Sequence, residues 1–156
     1  MDIDVKIGDV QVAKDPDNLS ASGIGSCLAI ILYDPKLKLG ALAHAMLPTR
    51  HCEAGAAGRS NPNTRDTKYV DNAIDEILTK MLSRGAKKEN IEAKLIGGAN
   101  MFSAFKSDIG NENVLTAKEK LKKEGIKIIG EAVGGSQGRS VEFSVSSGIV
   151  TVKIKF

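Results

Sequence analysis

The chain has 156 residues, of which 42% are apolar and 26% charged, enough for one domain with a real core and too few for two comfortable ones. The net charge of +3, from 22 basic and 19 acidic residues, lacks the concentrated basic footprint of nucleic-acid-binding proteins. We therefore expect a single domain spanning residues 1–156 that binds no nucleic acid.

Signals for membrane insertion or disulfide bonding are absent. No apolar run approaches the ~20 residues that a bilayer-spanning helix needs, and the start Met1-Asp2-Ile3-Asp4 lacks the positive charge of a signal peptide. The two cysteines are too few for a disulfide framework, and a reducing compartment would keep both as thiols. We therefore expect a cytoplasmic protein without membrane insertion.

The first third of the chain predicts three strands. Residues 5–12 alternate weakly between apolar and polar side chains, with the phase slipping around Gly8. The continuously apolar run 27–33 predicts a buried strand, and residues 40–47 predict its partner. The intervening residues 34–39 have turn chemistry, so the two runs are expected to form a hairpin.

A long polar loop and the clearest helix follow. Residues 50–66 are polar and glycine-rich, which predicts a surface loop and a mobile rim. From Val70 to Leu82 apolar residues recur at the helical period, and Gly85 is placed to end the helix. The apolar stripe predicts that this helix packs on the rest of the fold.

The second half alternates again between strands and helices, and no linker separates it from the first. The predicted elements are a strand at 91–96, a helix over 114–121 that ends at Gly125, a strand at 126–133, a loop at 134–139 and a hairpin of 141–145 with 150–154. Together they predict an α/β fold with largely antiparallel or mixed pairing and helices that cover one side.

The glycine-rich approach to Cys27 is the most informative motif. Gly23 and Gly25 precede the cysteine, and His44 lies on the predicted partner strand. A thiol and an imidazole on facing strands are the minimum equipment for cysteine-based acyl chemistry. The two side chains can cooperate only if the hairpin places them on one face.

The register of this hairpin therefore matters, and the sequence leaves it open. A turn centred between Pro35 and Lys36 sets Cys27 and His44 directly opposite each other, and a turn centred one residue later sets them on neighbouring rungs of the same face. A turn centred on Lys36 itself separates them onto opposite faces.

If the pair meets, the chemistry is coherent. His44 takes the thiol proton, the thiolate attacks a carbonyl or amide carbon, and His44 later protonates the leaving group. The backbone N–H groups around Gly25 and Ser26 are candidates for holding the developing oxyanion. The competing interpretation is structural, because cysteine is among the most buried residue types and a histidine in an apolar strand is often part of the core.

Other chemistries fit the residues less well. The glycines before Cys27 do not form a phosphate loop, since no lysine follows them. Cys27, His44, His51 and Cys52 could supply four zinc ligands, but structural zinc sites favour C-x-x-C pairs. His51 and Cys52 also form a rival thiol–imidazole pair, on a loop that does not favour a productive geometry. We expect no metal site and no cofactor.

Several separated motifs together resemble the chemotaxis deamidase family CheD. The matching segments are GIGSCLAI at 23–30, YDP at 33–35, AHAMLP at 43–48, GGANMF at 97–102, IGNENV at 109–114 and GGSQGRSVEF at 134–143. They occur in the family's order and cover nearly the whole chain. The resemblance implies an α/β sandwich and a protein-glutamine deamidase that converts specific glutamines of chemoreceptors to glutamate and releases ammonia.

The resemblance also implies roles and partners. Cys27 is the nucleophile that forms a thioester with the glutamine acyl group, and His44 is the base and then the acid. The implied partners are the cytoplasmic helices of chemoreceptors, as substrate, and a CheC-type phosphatase, which engages the deamidase in the manner of a substrate.

One position departs from the family pattern. Members commonly carry a threonine six residues before the cysteine, thought to orient the histidine, and this chain has Ala21 there. Ser20 or Ser22 could substitute if the strand shifts by one residue, although in an extended segment both point away from the face of residue 21. A backbone carbonyl could also orient the imidazole, or the enzyme could be weak.

Two other functions use the same residues. The chain could chiefly bind and stimulate the phosphatase, with catalysis weak because of Ala21. It could also hydrolyse glutamyl methyl esters of receptors through the same thioester, with methanol as the leaving group.

Overall fold

A computed structural model describes residues 1–50, 66–101 and 108–155. These residues form nine β-strands, two α-helices and one short 3₁₀ helix, at Lys88–Asn90. In chain order the strands and α-helices are β1 (Asp2–Asp4), β2 (Val10–Lys14), β3 (Asn18–Ile24), β4 (Leu28–Asp34), β5 (Leu39–Ala45), α1 (Val70–Ser83), β6 (Glu92–Gly97), α2 (Ile109–Glu124), β7 (Lys127–Val133), β8 (Arg139–Ser144) and β9 (Val150–Ile154).

The strands form two mixed sheets. One sheet has the order β2-β5-β4-β6-β7, and the other has the order β1-β3-β8-β9. Each contains one parallel pair, β6 with β7 and β1 with β3, among otherwise antiparallel pairs. The predicted mixed, largely antiparallel α/β architecture is confirmed.

The five-stranded sheet is the middle of three layers. Both helices pack on one of its faces, where α1 supplies Ile74 and Ile77 and α2 supplies Leu121. The four-stranded sheet covers the other face and buries Leu19 and Phe143 against it. This arrangement buries β4 along its whole length, as its continuously apolar sequence predicts for a central strand.

The β4–β5 hairpin has one of the registers left open by the sequence. Leu28 pairs with Ala45 and Asp34 pairs with Leu39, which centres the turn between Lys36 and Leu37. Residues Cys27 and His44 therefore belong to one face of this sheet.

The N-terminal prediction is wrong. Residues 5–12 do not form one strand, because β1 ends before them in one sheet and β2 begins at Val10 in the other. The chain turns at Gly8, whose φ of 88° is unfavourable for residues with a side chain. Strand β3 was not predicted at all, since its two serines and Gly23 weaken the strand signal.

The remaining elements agree closely with the sequence. Helix α1 covers the predicted segment and ends before Gly85, whose φ is 98°. Helix α2 begins five residues earlier than predicted, since the Asp108 side chain accepts a hydrogen bond from the backbone N–H of Asn111 and caps it. The predicted loop at 50–66 lies, apart from its ends, outside the described residues. Among the helices described, none is long and apolar enough to span a membrane.

Candidate active site

Cys27 lies in a short link where the chain passes from one sheet to the other. Strand β3 belongs to the four-stranded sheet and ends at Ile24, and β4 begins the central strand of the other sheet at Leu28. The thiol is partly buried and packs against the apolar layer between the sheets. Both sheets therefore fix the position of this residue.

The backbone of this link is held from one side. Each of its three carbonyl oxygens accepts one hydrogen bond. Ala99 N donates to Gly25 O at 3.0 Å, and Gly98 N donates to Cys27 O at 2.8 Å. Between them, Asn113 Nδ2 donates to Ser26 O at 2.9 Å. Gly97 approaches so closely that a Cβ there would collide with the Cys27 carbonyl and with Ile24. The end of β6 thus clamps the link.

His44 lies on β5, directly opposite Ala29 of β4. Cys27 lies one residue before the ladder begins at Leu28, and it packs with the apolar residues of the face that also carries His44. At neighbouring positions of one face, long side chains are within reach of each other, with Cβ atoms roughly 5 to 8 Å apart. The register of the hairpin is therefore compatible with a Cys27–His44 pair.

The imidazole of His44 is 1% exposed and is oriented by a main-chain group. Its Nδ1 lies 3.3 Å from the carbonyl oxygen of Val5, and because that oxygen only accepts, Nδ1 is the protonated nitrogen. Nε2 is then the basic nitrogen; it is buried and has no hydrogen-bond partner in the described parts of the chain. The ring therefore has the tautomer that a general base needs.

Burial sets the charge state of the pair. Desolvation raises the pKa of the Cys27 thiol, an effect that its own backbone N–H partly opposes. Desolvation also lowers the pKa of His44, against the opposing effects of the Val5 carbonyl and the Asp4 carboxylate. Both shifts favour the neutral thiol and neutral imidazole over an ion pair.

Ala21 and the two serines beside it point to opposite faces of β3, as neighbouring residues of an extended strand do. Ala21 is 2% exposed and faces the apolar layer between the sheets, whereas Ser22 is exposed on the opposite face of β3. Ser20 lines a groove on that outer face together with Glu142 and Thr151. This placement does not favour either serine as the partner of His44, because both side chains project away from the layer that holds the ring.

The described residues also bear on the zinc alternative. No group of three or more His, Cys, Asp or Glu side chains lies together in the ranges 1–50, 66–101 and 108–155. His51 and Cys52, which that alternative and the rival thiol–imidazole pair both need, lie outside these ranges.

Comparison with known proteins identifies the family. A family model described as CheD chemotactic sensory transduction matches residues 46–154. A probable chemoreceptor glutamine deamidase CheD of Pyrococcus abyssi is 45% identical over 97% of this chain and 91% of its own length. The chemoreceptor glutamine deamidase CheD of Thermotoga maritima is 38% identical over 96% of this chain and 89% of its own length.

The chain belongs to the CheD family.

The match to the CheD family model begins just after the candidate catalytic pair, at residue 46. The alignments with whole CheD relatives reach further, including a probable chemoreceptor glutamine deamidase of Methanococcus vannielii that is 39% identical over 98% of this chain and 95% of its own length. Contiguous alignments of this extent include both Cys27 and His44.

Two groups at this CheD site were missed by sequence reasoning. The Val5 carbonyl is a main-chain atom of a segment predicted as strand, and no side-chain pattern reveals it. Asn113 is fully buried in α2, and it lies four residues before Ala117 on the predicted apolar stripe. A polar side chain at a buried helical position was the signal that could have revealed it.

Proposed function

We propose that this chain is a chemoreceptor glutamine deamidase with Cys27 as nucleophile and His44 as general base and acid. The observation that carries the proposal is the buried, unpartnered Nε2 of His44 on the same sheet face as the Cys27 thiol. The names of the CheD relatives supply the substrate, since they describe deamidases of chemoreceptor glutamines.

The first step forms a thioester. Nε2 of His44 takes the thiol proton as the sulfur attacks the side-chain carbonyl carbon of a glutamine, which gives a tetrahedral intermediate with a negatively charged oxygen. The imidazolium then protonates the departing nitrogen, the C–N bond breaks, and ammonia leaves. The glutamine acyl group remains bound to Cys27.

Water completes the reaction. His44, neutral again, takes a proton from water as the water oxygen attacks the thioester carbon. The C–S bond breaks, the imidazolium returns its proton to the sulfur, and glutamate is released. The enzyme regains the neutral pair that burial favours.

The link at residues 25–27 supplies donors for the oxyanion. A trans peptide points each N–H away from the preceding carbonyl, and the carbonyls of Gly25 and Ser26 are held toward Ala99 and Asn113. The N–H groups of Ser26 and Cys27 therefore point the other way, and that of Cys27 lies near its own sulfur. We assign these two N–H groups as the oxyanion hole.

The remaining proposals concern the domain extent, the cellular compartment and the partners of the protein. We propose that residues 1–156 act as one domain in the cytoplasm, that the substrate is presented by the cytoplasmic helices of chemoreceptors, and that a CheC-type phosphatase binds the same site. No cofactor takes part in the chemistry proposed.

Mass spectrometry of a receptor cytoplasmic fragment tests the function. The wild-type protein is expected to convert specific glutamines to glutamate, which raises the mass of the fragment by the difference between an acid and an amide. Cys27→Ala is expected to abolish this change. Cys52→Ala is the matched control, because it removes the other cysteine and should leave the rate intact. An unmodified fragment, or modification that survives Cys27→Ala, would contradict the proposal.

Two further measurements separate the alternatives. A methylated fragment in the same assay reports ester hydrolysis, which releases methanol instead of ammonia. Tight phosphatase binding that survives Cys27→Ala, together with negligible deamidation by the wild-type protein, would instead support a regulatory role.

A further inference from the structure

Asn113 is the side chain that joins the segments carrying Cys27 and His44. Its Nδ2 donates hydrogen bonds to the carbonyl oxygens of Ser26, at 2.9 Å, and Met46, at 3.0 Å. Ser26 immediately precedes Cys27, and Met46 follows His44 by two residues. Both acceptors are carbonyls, so the amide nitrogen is the atom that must face them.

These two contacts lie where the hairpin ladder stops. The last pair of the ladder is Leu28 with Ala45, so the backbones of residues 26 and 46 lie beyond it. Asn113 bridges the two segments there with a single side-chain amide. The amide of Asn113 therefore adds a direct side-chain tie between the two segments to the main-chain contacts that hold each of them.

The helix that carries Asn113 is rigidly seated. A Cβ on Gly110, in the first turn of α2, would collide with the backbone of Gly98 and Ala99, and a Cβ on Gly98 would collide with Val114. Gly98 and Ala99 themselves donate to the nucleophile link. The position of the amide relative to Cys27 thus has little freedom.

Within the described parts of the chain, the buried amide of Asn113 is satisfied at its nitrogen but not at its oxygen. Asn113 is 0% exposed, and its Oδ1 has no hydrogen-bond partner among the residues described. A buried polar atom without a partner is costly. The hydrogen bonds of the amide to the described residues are therefore confined to Nδ2, which faces the two segments that carry Cys27 and His44.

We propose that Asn113 is a positioning residue that fixes the Cys27 thiol relative to the His44 imidazole. The proposal rests on the proposed deamidase function and deepens it. Asn113 touches neither the substrate nor the reacting atoms; it acts through the backbones of residues 26 and 46.

The first test separates positioning from stability. Asn113→Ala is compared with Leu121→Ala, which removes a fully buried side chain eight residues further along the same helix. Rates are measured on the receptor fragment and expressed per folded molecule, with the folded fraction taken from circular dichroism. Because small misplacements of reacting groups can cost about 100-fold, we expect Asn113→Ala to lower kcat by about 10- to 100-fold with KM nearly unchanged. Leu121→Ala should retain the wild-type kcat.

The second variant carries a pH signature. Asn113→Asp keeps the shape of the side chain, but an ionised carboxylate cannot donate to the two carbonyls, whereas a protonated one can donate to one of them. We expect its kcat, relative to that of the wild type, to rise as the pH falls. A ratio that does not change with pH, or a kcat of Asn113→Ala equal to that of Leu121→Ala, would overturn the proposal.

A substrate-free measurement keeps this proposal separate from the function itself. Iodoacetamide alkylation of Cys27 is followed in a Cys52→Ser background, with and without His44→Ala. When Asn113 is present, His44→Ala should change the pH profile of alkylation. When Asn113→Ala is also present, His44→Ala should have little further effect on that profile. If receptor glutamines are not modified but this dependence is lost in Asn113→Ala, the function fails and the positioning role stands. If the dependence persists in Asn113→Ala, the positioning role fails.

Discussion

At the residue scale, the candidate site contains two groups whose burial favours their neutral forms. Burial raises the pKa of Cys27 and lowers that of His44, so in the proposed mechanism the thiol gives up its proton during the reaction. The imidazole is aimed by the Val5 carbonyl at Nδ1, which leaves Nε2 for the proton. This arrangement suits general-base catalysis more than a preformed thiolate.

The first prediction concerns the pH dependence of deamidation. Only neutral His44 can act as base, and its lowered pKa keeps it neutral below the usual value of about 6.5. We therefore expect the acid limb of kcat/KM to have its midpoint below about 6.5. Since the Asp4 carboxylate raises the pKa of His44, Asp4→Asn should move this limb to still lower pH. Asp2→Asn, on the same strand, is the control and should not move it; an upward shift in Asp4→Asn would contradict the assignment.

The second prediction concerns the missing threonine. Ala21 faces the layer between the sheets, but the Nδ1 proton of His44 already has the Val5 carbonyl as acceptor. Because one N–H cannot serve two acceptors fully, we expect Ala21→Thr to change kcat by less than about threefold, while the larger side chain lowers the free energy of unfolding by about 1 to 3 kcal/mol. Kinetics on the receptor fragment and chemical denaturation measure the two effects. A gain in kcat above about tenfold would show that the Val5 carbonyl does not suffice.

Sequence reasoning proposed the catalytic pair but did not find the groups that hold it. Cys27 and His44 are chemically distinctive and lie on one predictable hairpin, so a single sequence exposes them. The Val5 carbonyl comes from a segment beyond the end of β1, and Asn113 comes from a helix more than sixty residues away along the chain. Both depend on tertiary contacts that local patterns do not encode.

At the element scale, the end of β6 and the link before β4 form one unit. Gly97 and Gly98 both have positive φ, 115° and 63°, and Gly98 donates to the Cys27 carbonyl. Only a chain without Cβ atoms can approach the link this closely. Cys27 is thereby tied to a neighbouring strand through main-chain atoms.

The third prediction tests this tie with a matched pair of glycines. Gly97→Ala and Gly125→Ala both place a side chain at positive φ, which costs about 1 to 2 kcal/mol. A Cβ at Gly97 would also collide with the Cys27 carbonyl, whereas Gly125 has open space around it. We expect only Gly97→Ala to lower kcat, by about tenfold or more, in kinetics on the receptor fragment. Equal kcat values in the two variants would refute the role of this contact.

The elements that the sequence predicts well are those with a strong local pattern. Helix α1 has a complete apolar stripe, and β4 has an uninterrupted apolar run between turn residues. Strand β3 was missed because it is held by pairing with β8, which is distant in sequence, and with β1, which is short. The register of the hairpin stayed open because a turn of four exposed residues allows more than one centre.

At the scale of the whole molecule, the candidate site lies where two sheets pack against each other. Tyr33 of the central sheet packs edge-on against Phe143 of the other, with ring centroids 5.5 Å apart. The Tyr33 hydroxyl also donates a 2.6 Å hydrogen bond to the Val145 carbonyl. These contacts lie on the same sheet face as Cys27, at the far end of β4.

The fourth prediction separates the stability of this contact from catalysis. Tyr33→Phe removes the hydroxyl but keeps the ring, so a buried carbonyl loses its partner. We expect the free energy of unfolding to fall by about 1 kcal/mol, with kcat unchanged. Urea denaturation and kinetics on the receptor fragment measure the two quantities. A loss of kcat beyond about threefold would mean that the far end of the interface controls the site.

The position of Cys27 between the sheets has a consequence for protein engineering. New chain termini are best tolerated at exposed turns, and the turn at Pro35–Lys38 is exposed, so a circular permutant opened there keeps all seven pairs of the β4–β5 ladder. A permutant opened between Ile24 and Ser26 would retain every strand and yet free Cys27 from its covalent link to the four-stranded sheet. Such a protein should fold as a sandwich without a working active site.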